Sequence, residues 1–324
     1  MLDVDVEVDR RDFVVRAALA VAPGERLALF GPSGAGKTTL LEVIAGLVPP
    51  RRARISLSGR VLTSTEAPVI AVPPWQRRVG LLRQDPGLFP HLSVRDNLRY
   101  SGGSDAELRS LATALGIEGL LGSMPARVSG GQAHRVALGR LLLSHCDALL
   151  LDEPYTGLDA SLRRALSELV ITLVAERGRP AILVAHELAD AQAFACRLAV
   201  LDQGRLLQLG SPDEVVARPA SRRVAELVGY TAFVPLAGAE QSSAAVAGIH
   251  PDRVIGGSHP DRGMVLSGVV AACRPAGALW EVSVRTTSAL VTGRLFEPVP
   301  VDRELAITVV DPPRFDADGA QVLT

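Results

Sequence analysis

The chain has 324 residues, 48% apolar and 21% charged, which fits about two domains and excludes wholesale disorder. A formal net charge of −1 and an aromatic content of 4% give no electrostatic or stacking basis for nucleic acid as a partner. Three scattered cysteines, Cys146, Cys196 and Cys273, without CxxC spacing point to a reducing cytosol, not to a disulfide scaffold or a zinc site. In chain order, the acidic start MLDVDVEVDRR is not a signal peptide, and residues 3–9 alternate as a strand does. Leu27 to Phe30 is a short apolar run ending at Gly31, and TTLLEVIAGL after Lys37 reads as a helix. ISLSGRVL, residues 55–62, predicts another strand, and residues 104–121 and 131–145 have helical character. Ala148 to Leu151 predicts a buried strand, Ser161 to Arg177 a helix with an arginine-rich face, Ala181 to Val184 a second buried strand, and Leu188 to Cys196 a helix. This alternation through about residue 228 predicts an α/β domain with a mostly parallel sheet. From about 231, MVLSGVVAAC, ALWEVSVRT, ALVTGRL and ELAITVV predict a small all-β unit, with the linker within 217–232. No run reaches the ~18 apolar residues of a membrane span. The richest stretch, Val136 to Leu151, is broken by Arg140, His145 and Asp147, so any work at a membrane goes through a partner.

Lys37 is the only lysine among 34 basic residues; all the others are arginine. Lysine is a compact point charge on a thin stem, whereas arginine is a flat fork. A position that keeps the thin one is crowded by something anionic. The surrounding run, Gly31-Pro32-Ser33-Gly34-Ala35-Gly36-Lys37-Thr38 followed by Thr39, satisfies GxxxxGK[ST] between a predicted strand and a predicted helix. Its glycines let backbone N–H groups turn inward on phosphates. Lys37 reaches the outer phosphates, and the Thr38 hydroxyl suits Mg2+.

Two further motifs follow. In ALLLDEP, Ala148 to Pro154, Asp152 emerges at the carboxyl end of a buried strand, where an aspartate orients Mg2+. Glu153 beside it suits a general base that polarises an attacking water. VSGGQ, Val128 to Gln132, is a second anion cradle before a helix. One nucleotide needs only one cradle, so two predict a pair of chains that cover each other's ATP.

This set, over about residues 1–228, resembles the ATP-binding subunit of ABC transporters. VSGGQ resembles the family signature, with Val128 where leucine is usual and Ser129, Gly130, Gly131 and Gln132 intact. The resemblance implies a P-loop NTPase fold with a helical subdomain at about 86–145, ATP and Mg2+ as cofactors, and ATP hydrolysis as the activity. It implies Gln84 as the Q-loop residue that contacts Mg2+, Asp159 as the D-loop aspartate and His186 as the switch histidine at the γ-phosphate. Phe13 stands open between stacking on adenine and a plain core role, and His91, His134, His145, His250 and His259 take structural readings.

DPGLFPHLSVRDNLRY resembles the importer segment that meets the membrane subunit, and GRVLTSTEAPVIAVPPWQRRVG before Gln84 resembles the molybdate importer's ATP-binding subunit. GIHPDRV, residues 248–254, resembles a phrase from C-terminal domains of sugar, sulfate, iron and polyamine importers. The implied C-terminal domain, 231–324, is a small β-barrel-like unit of OB-like, TOBE or Mop type. The implied partners are a second copy of the chain arranged head to tail, integral membrane permease subunits and, indirectly, a substrate-binding protein, with the chain peripheral on the cytoplasmic face. Importers of other substrates, and an oxyanion-sensing regulatory ATPase, remain alternatives.

Overall fold

The computed structural model describes residues 1–236 and 246–322. Contacts divide the chain into Met1–Pro212 and Asp213–Thr324.

In the first unit, β1 (Leu2–Asp9) and β2 (Val14–Val21) pair antiparallel with Leu2 opposite Val21. Their alternation buries Leu2, Val4, Val6 and Val8 and leaves acidic residues between them outside the core, the period-2 pattern of a half-buried ribbon. β3 (Arg26–Phe30) leads into α1 (Lys37–Ala45). β4 (Arg52–Leu57), β5 (Arg60–Ser64) and the short β6 (Ile70–Ala71) extend the antiparallel side. The single strand expected over 55–62 is therefore a hairpin: Ser58 and Gly59, at φ 51° and 81°, make the left-handed two-residue turn that matches strand twist. β7 (Val79–Leu82) and α2 (Val94–Arg99) come next, then α3 (Asp105–Ala114), α4 (Gly130–Leu143), β8 (Ala148–Asp152), α5 (Ala160–Arg177), β9 (Ala181–Ala185), α6 (Leu188–Phe194), β10 (Arg197–Asp202) and β11 (Arg205–Gly210).

The eleven strands form one sheet in the order β6-β5-β4-β1-β2-β11-β10-β3-β9-β8-β7. The pairings β10–β3, β3–β9, β9–β8, β8–β7 and β11–β2 are parallel, and the other five are antiparallel. The mostly parallel sheet expected from the alternation of strands and helices is thus a mixed one. The antiparallel half is made of hairpins, which need no crossover helix and leave no helical signal between strands. In the parallel half β8 and β9 are buried at every position, as strands covered on both faces must be. Leu27, Leu29, Leu150, Ile182 and Val184 pack there with Leu40, Leu41 and Ile44 of α1. The consequence for function is geometric. β3, β9, β8 and β7 run in one direction, so their carboxyl ends, and the loops after them, share one edge of the sheet.

α1 is held from its far end by a buried cation. Arg77, 5% exposed, donates to the carbonyls of Val43 and Ile44 in the last turn of α1 and to Val72 at 3.3, 2.9 and 2.7 Å. A helix C-terminus is the favourable place for a positive charge without a carboxylate. Gly46 closes the helix in a left-handed conformation, and a Cβ there would strike the Arg77 guanidinium.

In the helical part, Asn97 is fully buried and fixes the chain before α2. Its Oδ1 accepts from the Phe89 amide at 2.8 Å, and its Nδ2 donates toward the carbonyls of Phe89, Leu92 and Ser93 at 3.0–3.1 Å. Arg140 of α4 donates to the carbonyls of Pro86 and Gly87. Asn97→Ala leaves these buried groups unpaired, so urea unfolding should show a loss of about 2–3 kcal/mol.

The second unit begins with α7 (Pro212–Ala217) and α8 (Arg222–Leu227). The boundary expected at 228 therefore falls earlier, and the stretch expected as linker carries α8. The reason is bonding within the second unit: the Tyr230 hydroxyl donates to the Val216 carbonyl, the Arg222 amide to Gly319 and the Gln321 amide to Ala220. β12 (Ala232–Pro235), β13 (Val246–Ile249), β19 (Arg314–Phe315) and β20 (Gln321–Val322) form one antiparallel sheet. β14 (Val254–Gly256), β15 (Gly263–Ala276), β16 (Leu279–Arg285), β17 (Leu290–Leu295) and β18 (Glu304–Val310) form another, in the order β14-β18-β15-β16-β17. Val234 and Ile249 of the first sheet share a core with Val270, Val284, Val291 and Val309 of the second.

Candidate functional site

The loop after β3 is shaped by glycines that no other residue replaces. Gly31 has φ 151°, and a Cβ there would strike the Leu201 carbonyl oxygen; Gly36 has φ 102° and abuts Val15. Gly36 is the N-cap of α1 and offers no side chain to the first-turn amides, and no acidic residue lies in that turn. The positive pole of the helix and its free N–H groups are left for an external anion. Ala35 is buried, its amide bonded to the Pro32 carbonyl and its own carbonyl to the Gly204 amide, which pins the loop's base.

Lys37 is 6% exposed. Its Nζ donates to the carbonyls of Gly31 and Pro32 at 2.7 and 2.9 Å, so the chain wraps around its own ammonium. An ammonium has three N–H donors, and the third remains for an incoming oxygen. Burial pulls the Lys37 ammonium below its ordinary range, against the charges of Glu153 and Asp152. A polyphosphate beside it would favour the charged form and oppose that shift.

Lys37 lines a cleft of about 240 Å³ with Ser33, Gly34, Gly36, Thr38 and Thr39. Gln84, from the loop after β7, and Glu153, from the loop after β8, complete the wall on the sheet side. Arg10, from the β1–β2 turn, also lines it. No sequence signal singles out Arg10, one arginine in a chain full of them. The Thr39 hydroxyl is buried without a hydrogen-bond partner, which fits a phosphate oxygen as acceptor.

Thr38 Oγ1 donates to Asp152 Oδ1 at 3.3 Å. Asp152 is 2% exposed. Burial pushes its carboxyl up, the Thr38 bond opposes that, and Glu153 adds to it. Among the described residues no group of three or more His, Cys, Asp or Glu is placed to hold a metal. Mg2+ does not require one: it keeps several waters and takes one or two carboxylates together with substrate phosphates. A threonine hydroxyl beside a buried carboxylate, both hard oxygen donors, fits that ion. Bound there, Mg2+ would neutralise phosphate charge.

Glu153 follows β8 with φ 51°, a left-handed backbone that costs a non-glycine residue of order 1–3 kcal/mol. Its amide donates to the Val184 carbonyl at 3.3 Å, which ties the turn to β9. This turn aims Glu153 into the cleft that Lys37 lines and into a neighbouring one of about 150 Å³, lined also by Tyr155, Thr156, Arg163 and His186. His186, just past β9 and exposed, is thereby brought beside Glu153.

The remaining expected residues lie elsewhere. Ser129 is the N-cap of α4 in a capping box with Gln132: Ser129 Oγ accepts from the Gln132 amide at 3.3 Å, and Gln132 Oε1 accepts from the Ser129 amide at 2.8 Å. Gly130 and Gly131 have open space where a Cβ would be. None of the four lines either cleft. Asp159 caps α5, its Oδ1 accepting from the Leu162 amide at 3.0 Å, and it also lies off both clefts. Phe13 packs against the core, with its ring beside Gly36 and Gly204. Of the histidines, His134 is buried in α4 and burial pushes its imidazole down, as a structural role predicts.

A glycine loop between strand and helix, with two acids at the carboxyl end of β8, defines a P-loop nucleotide-binding domain. Residues 15–156 match the ABC transporter family. The chain is 42% identical over 224 residues to the Fe(3+) ions import ATP-binding protein of Pseudomonas fluorescens, covering 67% of this chain and 62% of that one. It is 39% identical over 257 residues to the molybdenum import ATP-binding protein of Mycobacterium tuberculosis, covering 76% and 69%. A solved structure of the ATP binding subunit of an ABC transporter matches with a TM-score of 0.58 at 29% identity, over 71% of this chain and 95% of that one. The chain belongs to the ABC transporter family, among its ATP-binding subunits. It spans less than two thirds of the length of the iron relative. Among the described residues no helix is long and apolar enough to cross a membrane.

Proposed function

We propose that the chain hydrolyses ATP as the motor subunit of an ABC importer, in a head-to-tail homodimer. Each ATP is held by one chain's Lys37, Thr38 and Asp152 and covered by the other chain's Ser129, Gly130, Gly131 and Gln132. The observation that carries this reading is the position of α4's N-terminus. It is a capped helix start with open space at both glycines, Ser129 and Gly130 are exposed, and it is no part of the cleft that holds Lys37. A second chain is the partner that brings the two together.

In this reading Glu153 is the general base. His186 and Gln84 contact the γ-phosphate and the metal, and Asp159 lies near the facing chain. The segment 86–98, clamped by Asn97 and Arg140, meets a membrane permease subunit fed by a substrate-binding protein. The chain itself is peripheral on the cytoplasmic face. The second unit is a regulatory β domain of OB-like, TOBE or Mop type.

For the substrate we favour an oxyanion, molybdate, on the resemblance of the run from Gly59 to Gly80 and the likeness to the molybdenum import protein. Iron is the second reading, favoured by the 42% identity to the iron import protein. Disrupting the gene should lower cellular molybdenum and leave iron unchanged when both are measured by elemental analysis. The reverse pattern selects the iron importer.

A further inference from the structure

An ion cluster behind His186 is assigned no role by the site described above. Arg163 lies one turn into α5, after the Glu153–Asp159 turn. Its Nη1 donates to Glu187 Oε2 at 2.9 Å and to Asp190 Oδ1 at 3.3 Å. Glu187 directly follows His186 and is the N-cap residue of α6, and Asp190 lies in that helix's first turn. One guanidinium on α5 thus grips both carboxylates at the start of α6, and the residue between β9 and this grip is His186.

The cluster is no ordinary surface pair. The Asp190 and Arg163 side chains are 18% and 27% exposed, against 60% for Glu187, and Arg163 Nε is buried without a hydrogen-bond partner. Arg163, Glu187 and Asp190 line the same 150 Å³ cleft as Glu153 and His186. Both carboxylates are held by the one nitrogen, Nη1, so the two acids are tied together at a single point of the planar guanidinium. Cutting it leaves two neighbouring carboxylates facing each other.

We propose that Arg163 is a positioning residue, which holds His186 in place against the Glu153–Asp159 turn by gripping Glu187 and Asp190. It touches no nucleotide itself. This rests on the proposed ATPase function, but its structural half does not depend on turnover. Arg163→Ala should lower kcat about 10-fold or more while ATP affinity, by titration calorimetry, stays within about 2-fold. Arg163→Lys should recover part of the rate, because one carboxylate can still be paired. In the nucleotide-free full chain, Arg163→Ala should speed amide hydrogen exchange at 186–194 and leave 31–45 unchanged. Exchange at 186–194 equal to wild type, or exchange raised uniformly across the first unit, overturns the proposal. So does an unchanged kcat in an active wild-type protein. A wild-type chain that binds but does not hydrolyse ATP removes the functional reading instead, and the exchange result still decides whether Arg163 positions the loop.

Discussion

Glu153→Gln is expected to lower ATP hydrolysis by roughly 100-fold or more while ATP binding is kept, as when a general base is lost. Glutamine is nearly isosteric, accepts the same left-handed backbone with the same strain, and keeps the amide bond to Val184. What disappears is the basic oxygen that faces both clefts. A closed dimer with uncleaved ATP should therefore accumulate, visible by size exclusion with ATP and Mg2+. Wild-type turnover in this variant would take Glu153 out of the mechanism.

The second large effect is expected at Lys37. Lys37→Arg preserves the charge, yet nucleotide affinity by titration calorimetry should fall at least about 100-fold. The ammonium is enclosed, with two N–H groups on the Gly31 and Pro32 carbonyls. A planar fork cannot place donors on both carbonyls and also on a phosphate within that loop. The same variant tests the paired arrangement. Mixed with a Ser129→Arg chain, which keeps its own Lys37, it should regain roughly a quarter of wild-type turnover, since half of the dimers are mixed and each has one intact composite site. No recovery on mixing would mean that one chain supplies both cradles to the same nucleotide.

The phosphate loop is legible in the sequence because its constraints are local. Glycines at 31, 34 and 36 follow an apolar strand and precede a helix, and each takes the positive φ that glycine alone adopts easily. Asp152 and Glu153 are legible for the same reason, at the end of a wholly apolar run. The β2 strand, Val14–Val21, is harder to read, since alanines soften its alternation. The hairpin at Ser58 and Gly59 is hidden because ISLSGRVL alternates as one strand does, although the Ser-Gly pair is a turn signal. The short helices after Pro212 look like linker because their hold on the second unit comes from residues about a hundred positions away, Gly319 and Gln321. Arg10 and Arg163 are invisible for a compositional reason. In a chain that uses arginine for nearly every cation, a single arginine carries no information until the fold sets it against a cleft.

The left-handed conformation of Glu153 bears on how this protein can change. A glycine would release backbone strain of order 1–3 kcal/mol there against an entropic cost of about 0.5–1 kcal/mol, so Glu153→Gly is an available route to a firmer fold. A screen for thermal tolerance alone would therefore reward the loss of the very carboxylate that faces both clefts. Under the function proposed above, variants improved in that way would be sturdier and idle, and only selection on turnover would keep an acid at a position whose conformation favours its absence.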